Sequence, residues 1–272
     1  MSGLFVALGD SFTEGVGDRN VHYPNGVRGW ADRVAKHLAK HDKTWRYANL
    51  AIRSRRLRHI IDEQVAPALA MRPTLVSLFA GGNDLLDVQT DPRQMLQRYR
   101  ETVSVIRAGG AQVLMFTSYD LRITPLLEPF RGRNRLFNDG VRAIAAETGS
   151  LLVDHQAMTA YEDPRMWSDD RMHMSTAGHK YLAARVLEHL DVPWTFSLED
   201  FEPLDGEGWR RRVSAEKDFW WTYMVPLFGR KIRRVTLGDH LSPKWPVPVR
   251  PAKGLRKIER KRRLASSEAI PA

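Results

Sequence analysis

The chain has 272 residues, 43% of them hydrophobic, a formal net charge of +10 and no cysteine. That length supports one substantial core with an appendage. The missing cysteines exclude disulfides and thiolate metal sites, and no apolar stretch approaches the roughly 20 residues of a membrane-spanning helix. The charge is also uneven. Residues 207–272 hold 17 Lys and Arg against 6 Asp and Glu, whereas the first 206 residues hold 25 against 26. The basic character therefore belongs to a C-terminal extension, and reading the whole chain as a nucleic-acid binder would misplace it.

In chain order, apolar runs of strand length occupy 4–8, 47–50, 75–80, 113–116 and 151–153. Between and after them lie segments with helical patterning, at 29–42, 56–70, 92–108, 134–148 and 176–190. In the second, Leu57, Ile60, Ile61 and Val65 recur at helical spacing with charges between them. Short apolar strands alternating with amphipathic helices predict a parallel sheet covered on both faces. The pattern changes past Pro193. Residues 196–249 form an aromatic-rich extension expected to pack on a body spanning 1–195, with Trp209, Phe219, Trp220, Trp221, Tyr223 and Phe228 its main aromatics. Pro243, Pro246, Pro248 and Pro251 rule out a long regular element there. Residues 250–263 hold eight Lys or Arg, and 250–272 are expected to be a basic, mobile tail.

Four short stretches carry chemistry: Gly9-Asp10-Ser11-Phe12-Thr13-Glu14-Gly15, Asn49-Leu50-Ala51, Gly81-Gly82-Asn83-Asp84 and Asp170-Arg171-Met172-His173. The first three follow strand-like runs, and in a parallel sheet function gathers at the carboxyl ends of the strands. Ser11 is an alcohol that needs a base to become a nucleophile. His173 suits that role because an imidazole exchanges protons near neutral pH. His155, just after Asp154, is the competing base. His37, His41, His179 and His189 fall on predicted helices, where surface positions are expected. Asp170, three residues before His173, can bond Nδ1–H and leave Nε2 facing Ser11; Asp169 is the alternative. Asp10 and Asp84 are expected to brace loops through backbone hydrogen bonds. Neither a Gly-x-Ser-x-Gly elbow nor a His-Glu-x-x-His metal motif occurs.

As a set, these stretches resemble the SGNH, or GDSL, family of serine ester hydrolases over residues 4–190. The resemblance implies a three-layer α/β/α sandwich around a five-stranded parallel sheet with flavodoxin-like strand order. It implies cleavage of a carboxylic ester through an acyl-serine intermediate, with Ser11, His173 and Asp170 catalytic and no cofactor. It assigns the oxyanion hole to the Ser11 and Ala51 backbone N–H groups and the Asn83 side-chain amide. The chain departs from the family at Ala51, where a glycine is usual.

Arg53, Arg55, Arg56 and Arg58 read as a solvated face pairing with Asp62 and Glu63, or else Arg53 contacts an anionic group of the substrate. The expected partner is a small ester, with an anionic membrane surface or other polyanion meeting the basic tail. Acyl transfer from Ser11 to an alcohol, and an inactive scaffold binding through its tail, are the alternatives. Because the first apolar run leads straight into Gly9-Asp10-Ser11, a cleaved leader is not expected and a cytoplasmic location is.

Overall fold

The computed structural model describes residues 3–119, 131–202, 222 and 236–268. The five apolar runs form β1 (Leu4–Gly9), β2 (Arg46–Asn49), β3 (Leu75–Phe79), β4 (Gln112–Phe116) and β5 (Leu151–Val153). They pair in parallel in the order β5-β4-β3-β1-β2. The helices are α1 (Ser11–Glu14), α2 (Gly29–His41), α3 (Leu57–Ile60), which continues through Ile61–Val65 into α4 (Ala66–Ala70), α5 (Gly82–Leu85), α6 (Pro92–Ala108), α7 (Arg131–Thr148), α8 (Thr176–His189) and α9 (Leu255–Glu268). Ser175 caps α8, its side chain accepting the Gly178 N–H.

Strand alternation sorts the core into two layers. Leu4, Val6, Leu8, Val76, Leu78, Val113 and Met115 face α3, α6 and α7, meeting Leu57, Ile60, Tyr99, Val103, Phe137 and Val141. Phe5, Ala7, Phe79, Leu114 and Phe116 face α2 and α8, meeting Trp30, Val34, Leu182 and Val186. Helices on both faces of a parallel sheet give the α/β/α sandwich, because each apolar strand face must be covered.

The C-terminal extension differs from expectation in two ways. A sixth strand, β6 (Trp245–Val249), joins the sheet antiparallel to β2, giving the order β5-β4-β3-β1-β2-β6. Its sequence Trp-Pro-Val-Pro-Val is tolerated at an edge, where a missing N–H costs no ladder bond. The expected mobile tail is instead helical over α9. This helix is anchored by buried Leu255 and Glu259, while Glu259 pairs with Arg263 at 2.7 Å. Ile258 packs against the body as well, and Glu259 offsets part of the cationic charge beside Arg262 and Arg263. Trp209, Phe219, Trp220, Trp221, Tyr223 and Phe228 lie outside the described residues. Among the described residues no helix is long and apolar enough to cross a membrane.

Candidate active site

The site sits at the carboxyl ends of β1 and β3, next to the loop before α8. β1 ends at Gly9 with φ +150, where a Cβ would lie 2.5 Å from the Phe79 carbonyl oxygen. Glycine therefore lets the chain turn sharply beside β3 and begin α1. Asp10 caps that single turn, accepting the Phe12 N–H at 3.1 Å. Ser11 follows as the first helical residue.

The structure brings Ser11, His173 and Asp170 into one hydrogen-bonded series. Ser11 Oγ lies 2.9 Å from His173 Nε2, and His173 Nδ1 lies 2.6 Å from Asp170 Oδ2. Asp170 Oδ1 accepts the Met172 and His173 N–H groups, each at 2.9 Å, and the Ser168 hydroxyl at 2.8 Å. Burial pushes the Asp170 carboxyl up, but the His173 bond and charge and these backbone donors outweigh it and hold the carboxyl well below the usual range. Phe12 packs beside the imidazole with ring centroids 6.0 Å apart.

Asn83 is close by but already committed. Its amide donates to Asp10 Oδ2 at 3.1 Å and to the Arg55 carbonyl at 3.0 Å. Asp10 is buried, and burial pushes its pKa up to about 7. Asp84 holds the Leu57 N–H at 2.9 Å, and burial pushes it to about 6. Both acids thus hold backbone donors.

Two expectations do not survive the geometry. Ala51 is fully buried and its N–H donates to Asn49 Oδ1 at 3.0 Å, so it is not presented as an oxyanion donor. The left-handed residue in the β2–α3 loop is instead Ser54, at φ 67. Among the described residues its N–H has no hydrogen-bond acceptor. Arg53 does not face a substrate anion. Its guanidinium meets the buried Glu14 carboxylate through two bonds, at 2.9 and 2.8 Å, and its own N–H adds a third at 2.7 Å. The pairing with Glu63 is made by Arg55.

The competing histidine is enclosed. His155 is fully buried, ringed by Phe12, Phe79, Tyr119, Tyr161 and Trp167, and burial pushes its pKa down to about 3. It makes no bond to Ser11. His37 and His179 are also buried, contrary to the expected surface positions. His179 accepts the Trp30 N–H at Nδ1 (3.2 Å) and so donates from Nε2 to the Val16 carbonyl (3.0 Å). Helical spacing marks a face but does not say whether another helix covers it. Among the described residues no group of three or more His, Cys, Asp or Glu could hold a metal ion.

A parallel sheet with a serine, an imidazole and a carboxylate in series at its strand ends has the parts of a serine hydrolase. The sequence profile of the GDSL-like lipase/acylhydrolase family matches residues 7–181, and the chain belongs to that family. It is a carboxylic ester hydrolase. An acetylxylan esterase of Geobacillus stearothermophilus is 27% identical, the match covering 56% of this chain and 75% of that protein. Among solved structures, an acetylxylan esterase from the same organism is similar at a TM-score of 0.60 and 22% identity, over 72% of this chain and 97% of that one. An α/β hydrolase enzyme from the metagenome of Lake Arreo, Spain, is similar at 0.58 and 22%, over 70% and 95%. At such identities the structural likeness speaks to the fold.

Proposed function

We propose that this hydrolase cleaves short acyl esters, acetylated carbohydrates foremost, through an acyl-enzyme on Ser11. The observation that carries this reading is the unbroken series from Ser11 Oγ through His173 to Asp170. Ser11 Oγ attacks the ester carbonyl while His173 Nε2 takes its proton. The proton then passes to the departing alcohol, and water, activated by the same imidazole, releases the acid from Ser11. Asp170 holds the imidazole with Nδ1 protonated. The carbohydrate substrate class is supported by the acetylxylan esterase relative. Structures of that esterase include catalytic mutants with a serine, an aspartate, and a histidine three residues beyond the aspartate each replaced. The same Asp-x-x-His spacing occurs at Asp170 and His173.

For the oxyanion we assign the Ser11 N–H, the Ser54 N–H in place of that of Ala51, and the Asn83 amide. Asn83 must turn one N–H from Asp10 Oδ2 toward the oxyanion, a charged acceptor that forms only during reaction. Asn83→Ala is therefore expected to lower kcat about 10²–10³-fold with KM nearly unchanged. A change in KM alone would place Asn83 in substrate binding. The reading as a whole is tested by a fluorophosphonate probe and a series of p-nitrophenyl esters. Labelling at Ser11, with turnover falling as the acyl chain lengthens, supports it. A preference for long chains overturns the substrate class, and faster product formation with added sugar acceptors would favour acyl transfer.

For the extension we propose contact with an anionic lipid surface. Arg256, Lys257, Arg260 and Lys261 are exposed on α9, where Glu259 is buried and paired with Arg263. Such a face attracts anionic headgroups at about 1 kcal/mol per cation, weakened by salt. Cosedimentation is expected with phosphatidylserine vesicles but not with pure phosphatidylcholine, and Lys257→Glu with Lys261→Glu should abolish it. Equal sedimentation with both lipids would rule the contact out.

A further inference from the structure

The region matched to the family ends at residue 181, yet a side chain far beyond it reaches the turn that carries Ser11. Lys244, fully buried, donates from Nζ to the Glu14 carbonyl at 2.8 Å and to the Arg28 carbonyl at 2.6 Å, and it pairs with the buried Asp32 carboxylate. Glu14 is the last residue of α1, and Arg28 immediately precedes α2. The two segments cross at Gly15 and Gly29. A Cβ built on either would lie 2.6 Å from the other's Cα, and both have positive φ, at +106 and +79. Backbone contact at this crossing is thus open only to glycine, which contributes no side chain to lock it. The ammonium group bridges the two carbonyls there, satisfying an oxygen at the end of α1 that the helix leaves without a partner.

Asp32 holds the clamp in turn, accepting Trp245 Nε1 at 2.9 Å, while Arg262 on α9 donates to the Lys244 carbonyl at 3.0 Å. We infer that Lys244 is a positioning residue for the nucleophile. It fixes the far end of the single-turn helix whose first residue is Ser11, so the C-terminal extension is part of the working enzyme. This rests on Ser11 being the nucleophile. The helix is only one turn long, so a shift at Glu14 is transmitted to Ser11 without a long element to absorb it. A misplacement near 1 Å costs on the order of 10²-fold in rate.

The test uses the full chain. Lys244→Met alone leaves Asp32 buried without its partner, so the informative variant pairs it with Asp32→Asn, which can still accept the Trp245 indole. Active sites are titrated with p-nitrophenyl acetate bursts, and kcat is taken per titrated Ser11. The double variant should melt cooperatively, show kcat lowered about 10- to 100-fold and KM within about twofold, and be phosphonylated at Ser11 more slowly by a similar factor.

Turnover near the wild-type value in a folded double variant overturns the inference. So does an equal loss in Val249→Ala, a β6 residue outside the clamp, which would show that any weakening of β6 suffices. A double variant with no cooperative melt would assign Lys244 to folding alone, and that too overturns it. If the wild-type enzyme is not labelled at Ser11, the reading of the nucleophile fails instead, and the clamp experiment does not bear on that failure.

Discussion

Ser11→Ala is expected to give a folded protein that loses ester turnover by a factor on the order of 10⁵–10⁶ and is no longer labelled by a fluorophosphonate. The size follows from what is removed. The hydroxyl oxygen is the atom that forms the covalent bond, so its loss closes the acyl-enzyme route and leaves only direct attack by water. Folding should be spared because the capping group of α1 is Asp10, which keeps its bond to the Phe12 N–H. Alanine is also a good residue for the first turn. The lost bond to His173, 2.9 Å long, is worth about 1 kcal/mol or less to stability. Residual activity above a few percent, with an unchanged melting curve, would show that Ser11 is not the nucleophile.

The framework of this enzyme was legible because it depends on local pattern. The five parallel strands coincide with apolar runs, and α2, α6 and α8 with helical periodicity, since burial on a sheet face imposes those periods directly. The grouping of Ser11, His173 and Asp170 in space was legible for a related reason. Strand ends gather chemistry, and the three-residue step from Asp170 to His173 is a local geometry.

What escaped the sequence depends on contacts between distant residues. Arg53 sits in a run of arginines that reads as a solvated face, yet its partner Glu14 lies 39 positions away. Ala51 looks like a small residue at a donor position, but Asn49 two residues earlier takes its N–H. The left-handed residue is Ser54, which no composition rule marks because glycine is the usual signal for positive φ. Lys244 is hidden among prolines and cations, and only tertiary structure shows it buried against Asp32. β6 and α9 were obscured for the same reason, since charge and proline content describe a segment before its partners are known.

Asp170→Asn should be nearly as damaging to kcat as loss of the nucleophile, about 10⁴-fold, with KM little changed. The aspartate's Oδ1 accepts three donors, from Met172, His173 and Ser168, and these would hold the asparagine oxygen in the same place. The amide nitrogen would then face His173 Nδ1 where Asp170 Oδ2 stood at 2.6 Å. A donor there requires Nδ1 to accept, so the ring proton moves to Nε2, and Nε2–H cannot take the proton from Ser11. The active-site arrangement stays intact while the tautomer is reversed. The same substitution should alter acid stability in a defined direction. The folded state holds the Asp170 carboxyl below its ordinary value, so its ionisation stabilises the fold above the ordinary carboxylate range. That contribution is lost as pH falls below the range and the folded carboxylate takes up a proton. Asparagine does not titrate, so the stability gap between wild type and variant should narrow as the solution is acidified. Measured by urea unfolding across that range, a gap independent of pH would show that Asp170 does not bear the charge assigned to it. Turnover above about a tenth of wild type would remove it from the mechanism.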